Sequence, residues 1–203
     1  CLTREGNTIT LDGYSDETLD HAHLMLRGTY AGIVESNLFI SLHTNANEDG
    51  ANGYETCEQP IGINKPILVA NQLASRSGVC IAVGNAIGQN LAKVSFDAGL
   101  STVSTFIGAH PGQLEEWSDD YNDSLDVPGK LFCRLKSNGT EDYYGVLRGA
   151  AEAGVPGLII EHGMHTVPQV RQAAMEGDLL QKWAQADAHG IAYGFGFVTE
   201  PLN

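Results

Sequence analysis

The sequence is short of basic residues, of cysteine and of long apolar runs, and each shortage removes a class of function. Lysine and arginine number 11 against 25 aspartates and glutamates, a formal net charge of −14. Such a surface repels phosphate backbones and anionic headgroups, so nucleic acid and bare membrane are poor partners. No stretch approaches the roughly 20 apolar residues of a spanning helix, and no basic-then-apolar leader is present. A soluble chain without membrane insertion is expected, any secretion signal having been removed or left out. Four widely spaced cysteines, Cys1, Cys57, Cys80 and Cys133, include no C-x-x-C pair, which argues against a zinc knuckle or a thioredoxin-type motif. They allow three pairings, and free buried thiols are the simplest reading. No internal repeat or linker is visible, so residues 1–203 read as one domain with a full core.

What is present is an alternation of helical and extended patterns. Residues 1–4 read as the end of a strand, and the Gly/Asn/Asp-bearing stretch at 6–13 as a loop. Ser15 is a good N-cap, and Leu19, Leu26, Tyr30 and Ile33 form an apolar stripe at helical spacing through Val34. His21 and His23 on that helix stand two apart, too poorly aligned to chelate a metal. Residues 37–45 form the first clear strand, followed by a loop to Gly53 and a short strand at 54–57. Residues 67–98 read as mostly helical, with Leu68, Leu73, Val79, Val83, Ile87, Leu91 and Val94 facing inward and Gly78 and Gly84 interrupting. The stretch at 106–138 is an irregular excursion with a hairpin near 130–136. A helix at 143–153, a strand at 157–161, a helical region at 167–189 and an extended segment at 191–199 complete the chain. Strands alternating with helices predict an α/β fold, its mainly parallel sheet covered by helices on both faces.

Two strands end on chemistry-bearing side chains. In LFISLHTNA, alternate residues share a face, so Phe39, Ser41, His43 and Asn45 point one way and Leu38, Ile40 and Leu42 the other. The apolar run marks this strand as internal, with His43 at its carboxyl end. In GLIIEHG, Leu158, Ile159 and Ile160 are core and Glu161 ends the run. Ligands of open α/β sheets bind beyond the carboxyl ends of strands. If the two strands are parallel and close, His43 and Glu161 share one crevice. A neutral imidazole binds Zn2+, the metal polarises a carbonyl, and a nearby carboxylate accepts a proton from water. A histidine at a strand end is also an ordinary hydrogen-bonded structural group, and periodicity alone leaves both readings open.

At these residues the sequence resembles the zinc-dependent N-acetylmuramoyl-L-alanine amidases of the amidase-3 family. Thr3-Arg4, the helix bearing Leu26-Arg27, LFISLHTNA at 38–46, Gly53-Tyr54-Glu55-Thr56, VPGLIIE at 155–161 and the segment at 179–197 follow the family's order. The resemblance covers most of the chain except the long excursion at 106–138. It implies a sheet of about six strands and cleavage of the amide joining the lactyl group of N-acetylmuramic acid to L-alanine of the stem peptide. Zn2+ is the implied cofactor, peptidoglycan the substrate, and the bacterial cell envelope or exterior the location. His43 carries over as a zinc ligand and Glu161 as the catalytic base, with Ser41 and Asn45 in support.

Two family features have no counterpart. The family's other zinc ligands, a His in a glycine-rich turn and a Glu in the next helix, lie upstream of the matched segments, and no Gly-His-Gly-Gly turn occurs here. The expectation is that an amino-terminal strand and helix precede Cys1. The alternative is a rebuilt site recruiting His165 or His162, three apart and brought together by one helical turn. His162 also replaces a residue usually apolar in the family. His110 and His189 receive no role. Besides the amidase, two other functions stay open: a non-catalytic wall-binding module on the same fold, and a zinc peptidase or deacylase acting on another amide. Oligomeric state is not legible.

Overall fold

The computed structural model describes residues 2–5, 8–11, 16–45, 66–94, 106–118, 129–165 and 168–200. The elements, in chain order, are β1 (Leu2–Glu5), β2 (Thr8–Leu11), α1 (Asp16–Ile33), β3 (Phe39–Asn45), β4 (Ile67–Ala70), α2 (Gln72–Arg76) and α3 (Gly78–Ala92). They continue with β5 (Phe106–Ile107), β6 (Gly129–Cys133), α4 (Gly145–Glu152), β7 (Gly157–Met164), α5 (Pro168–Glu176) and α6 (Leu179–Gly194). Among these residues the main sheet has five strands in the order β3-β7-β4-β6-β5, and β1 and β2 form a separate antiparallel pair. The pairs β3–β7, β4–β6 and β5–β6 are parallel, whereas β4 runs antiparallel to β7. The expected α/β class and mainly parallel sheet are therefore what the fold shows. None of the described helices is long and apolar enough to cross a membrane.

Period-2 alternation sorts the sheet's side chains onto two covered faces. Leu68, Ala70, Leu131, Leu158 and Ile160 join Val83, Ile87 and Leu91 of α3 and Leu179, Trp183 and Ala186 of α6 in one core. On the other face Val69 and Ile159 meet Val146 and Leu147 of α4, while Ala31 of α1 packs with Ala150 and Val155. The α1–α4 contact is backbone-close. A Cβ on Gly149 would fall inside the envelope of the Met25 carbonyl group, so only glycine lets these helices approach this far. Gly154, at φ +77°, then stops α4, and the Val155 N–H donates to the Ala150 carbonyl at 2.8 Å.

Several expectations change. Residues 67–70 are a strand instead of the start of a long helix, and all four are buried; a continuous apolar run of this length fits either structure until its neighbours are known. Leu73 and Val79 are exposed, because the break at Ser77 restarts the helical phase. Residues 8–11, expected in a loop, pair with β1. The hairpin near 130–136 is instead β6, internal to the sheet between β4 and β5. The extended segment at 191–199 is also absent: α6 runs to Gly194 and turns follow, since Ile191 continues the apolar stripe of Leu179 and Trp183. Finally, β3 lies at an edge of the described sheet; its apolar run marked covered faces, not lateral position. Residues 54–57, the loop at 46–53, Cys1 and Cys57 lie outside the described residues. Cys80 is buried and Cys133 half-buried, both as free thiols.

One buried carboxyl makes stability depend on pH. Asp142 Oδ1 accepts the Gln72 N–H at 3.1 Å, at the start of α2. Burial raises its pKa from 3.8 to about 6, against the smaller opposing effects of that hydrogen bond and of Arg148. The folded state thus holds this proton more tightly than the unfolded chain. The group's contribution falls as pH rises from about 4 to about 6, and above that the buried charge is a standing cost. Asp142→Asn keeps an acceptor and removes the charge. It is expected to raise the melting temperature at pH 8 and to flatten its dependence between pH 4 and 6, as read by thermal unfolding monitored by circular dichroism. A second test uses the helix contact. Gly149→Ala should cost about 3 kcal/mol by overpacking. Gly78→Ala, where the added carbon meets nothing, should gain about 0.5 kcal/mol, both measured by denaturant titration.

Candidate active site

The register of β3 on β7 is set at the ends away from the site. Asn71, fully buried after β4, accepts the Gly157 N–H at its Oδ1 (3.0 Å) and donates its own N–H to the Gly157 carbonyl (2.9 Å). Its Nδ2 donates to the carbonyls of Val155 (3.1 Å) and Leu147 (3.3 Å). With the first residue of β7 held, Phe39 pairs with Gly157 and each later pair follows, bringing His43 level with Glu161. Ile67 of β4 faces Glu161 on its other side. The two sequence-selected residues therefore stand side by side at one rim, on the sheet face covered by α1 and α4.

Their electrostatic settings differ. The His43 ring is exposed, and Ser41 Oγ lies 2.7 Å from its Nε2. Partial burial, then the positive charges of Arg27 and His162, lower its pKa, so the ring is neutral at neutral pH and keeps a lone pair. Glu161 is half-buried, and its Oε2 has no hydrogen-bond partner among the described residues. Burial raises its pKa, partly opposed by the charge of His162. A carboxylate with a free, desolvated oxygen is a proton acceptor without a competing structural bond.

His162 projects to the opposite face. Its Nδ1 donates to the His43 carbonyl and its Nε2 to Asp187 Oδ2 on α6, each at 2.8 Å. Burial by itself would lower its pKa, but Asp187, the His43 carbonyl and Glu161 together raise it. Two acceptors require two N–H groups, so the ring is an imidazolium with no lone pair for a metal. The rebuilt site is thereby corrected for His162. It also shares no helical turn with His165, since His162 is in β7 and His165 in the turn just after it. His165 is exposed, its Nδ1 lying 3.1 Å from Thr44 Oγ1. The Asn45 carbonyl accepts its backbone N–H at 2.9 Å. His110 is exposed in a loop and His189 lies on α6, its Nδ1 3.5 Å from Asn90 Nδ2. The side chains of His21 and His23 are outside the described residues.

Asp187 escaped the sequence reading. The available signal was an acidic residue four positions after Trp183 on the inward stripe of α6, where a charge needs a partner. A cavity of about 450 Å3 opens beside the rim, its wall including Leu42, His43, Thr44, His162, Trp183 and Asp187. As a metal site, the described residues hold no group of three or more His, Cys, Asp or Glu side chains. The neutral His43 imidazole and the unpartnered Glu161 oxygen fit a zinc ion in chemical kind, one as ligand and one as neighbouring base; further donors would have to lie outside the described residues.

No curated protein sequence matches the chain significantly. Among solved structures, Cwp6 from Clostridium difficile is similar at 15% identity and a TM-score of 0.48, covering 87% of this chain and 20% of that one. The chain thus spans about a fifth of the length of that structure. A family model described as N-acetylmuramoyl-L-alanine amidase matches residues 1–193. With nearly its whole length matched by that model, the chain belongs to the amidase-3 family.

Proposed function

We propose that residues 1–203 act as one catalytic domain that hydrolyses peptidoglycan at the bacterial cell envelope or exterior. The bond cut is the amide between the lactyl carbonyl of N-acetylmuramic acid and the α-nitrogen of L-alanine. The observation that carries this reading is the in-register pairing of a neutral imidazole, His43, with a carboxylate, Glu161, one oxygen of which has no partner among the described residues. Family membership supplies the substrate class.

His43 would hold a zinc ion together with donors outside the described residues. When bound, that ion supplies Lewis-acid polarisation and lowers the pKa of water. The Glu161 carboxylate takes a proton from the attacking water. The new C–O bond forms on the lactyl carbonyl, and Glu161 returns the proton to the departing amine as the C–N bond breaks. The products are a lactyl carboxylate and a free L-alanine amino group. Ser41 orients the His43 ring through the 2.7 Å contact.

Incubation of the full-length protein with purified cell wall should release new L-alanine amino termini matched by free lactyl carboxylates. Cleavage at other peptide bonds would instead favour a peptidase, and neither zinc nor cleavage would leave a wall-binding module. Glu161→Gln should keep about one equivalent of zinc and lose roughly 10²- to 10⁴-fold in kcat. Its melting temperature should equal or exceed that of the parent, because a buried charge is removed; retained turnover would rule out Glu161 as the base. His43→Ala should lose the metal, as read by elemental analysis.

A further inference from the structure

Sheet alternation sends consecutive residues of β7 to opposite faces, and the pair Glu161-His162 uses both. The His162 ring lies between β3 and α6. It stacks at a tilt on Trp183, with ring centroids 5.2 Å apart, and its side chain and that of Asp187 are both more than nine-tenths buried. Neither of its two hydrogen bonds closes locally: one reaches 119 residues back to the backbone of His43, the other 25 residues forward to α6. The His43 carbonyl is also where the strand pairing becomes irregular. His43 faces Glu161, but Asn45 faces Met164, so β7 contains one more residue than β3 over this step. A bulge of this kind re-aims side chains and loosens the ladder. The backbone carrying His43 therefore depends on a side chain where regular pairing lapses.

We propose that Asp187 and His162 are positioning residues for the site. The carboxylate on α6 orients the His162 ring, whose Nδ1–H holds the His43 carbonyl and so fixes the direction in which the His43 side chain leaves the strand. The proposal rests on the reading of His43 as a site residue. It adds that helix α6, which contributes no reacting group, sets the aim of that residue through one buried ring. Thr44 and Leu42, flanking His43 on the cavity side, move with the same segment of backbone.

The test uses His162→Phe, which keeps an aromatic ring against Trp183 and removes both hydrogen bonds, and Asp187→Asn, which keeps shape and removes the charge that orients the ring. In metal-free full-length protein, the wild-type His43 imidazole should give one sharp set of NMR resonances. Both variants should broaden or double that set while melting stays cooperative. Zinc added alone, in competition with a chromophoric chelator, should bind about 10- to 100-fold more weakly. Unchanged His43 resonances in folded variants would overturn the proposal. Should the variants not fold, the wild-type ring decides: slow solvent exchange of both His162 N–H protons supports the clamp, and fast exchange of either one refutes it. A wild type that binds no zinc and cuts no wall would end the amidase reading, while the His43 resonances would still decide the positioning role.

Discussion

The site depends on the lateral pairing of two strands distant in sequence. His43 and Glu161 meet because β3 and β7 run parallel and in register, and register in a sheet is an all-or-none property: a slip of one residue turns every side chain to the other face. Apolar burial alone gives β3 little protection against such a slip. The strand lies at an edge of the described sheet, and Leu42, Thr44 and His43 are exposed. Polar contacts fix what burial leaves loose. Asn71 holds the first residue of β7 by both its N–H and its carbonyl, and Phe39 donates to the Pro156 carbonyl at 2.9 Å. At the other end the His162 ring joins the His43 carbonyl.

These contacts differ in kind, and the difference suits their places. Asn71 is neutral and its side chain makes four hydrogen bonds, so its burial leaves neither amide atom wanting a partner. The imidazolium of His162 is buried against a carboxylate, an arrangement whose desolvation cost limits its net stabilisation but whose geometry is strict. Glu161 lies between these solutions, a half-buried carboxylate with one oxygen unpartnered among the described residues. An internal partner for that oxygen would stabilise the folded chain and remove a free proton acceptor from the rim. Asp187 Oδ1 is likewise buried without a partner among the described residues, but that carboxylate is already committed to His162 through Oδ2, so Glu161 is the carboxylate at the rim with chemistry left to it.

Much of this was legible in the sequence, and the losses have definite causes. LFISLHTN and GLIIEHG carry their own evidence of strand and of strand end, because alternation and an apolar run cut off by a titratable residue are local signals. Ile67–Ala70 was not legible in the same way: four apolar residues ahead of a capped helix look like its first turn until β6 and β7 close around them. Residues 129–133 were hidden for the opposite reason, with glycine, proline and charge nearby suggesting a surface turn although Leu131 and Phe132 are core. The partnership of His162 with Asp187 joins elements whose contact is decided only by tertiary packing. A charged residue on the inward stripe of α6 announced that a partner existed, but not which one.

The dipeptide Glu161-His162 makes the reliance on register concrete. With β7 as it stands, the carboxylate faces the α1–α4 side beside His43, and the imidazolium faces α6 and meets Asp187. Moved by one position, the carboxylate would be driven against Asp187, where two negative groups would repel in a poorly solvated space. The imidazolium would then stand on the other face beside His43, far from its counter-ion. Both displaced groups are penalised, so the same two adjacent charges that equip the two faces also discriminate against the slipped pairing. Apolar side chains such as Ile159 and Ile160 would exchange faces at much smaller cost, since each face of the sheet already has an apolar cover. The specificity of this strand pairing therefore resides in its polar end, where the candidate chemistry also lies.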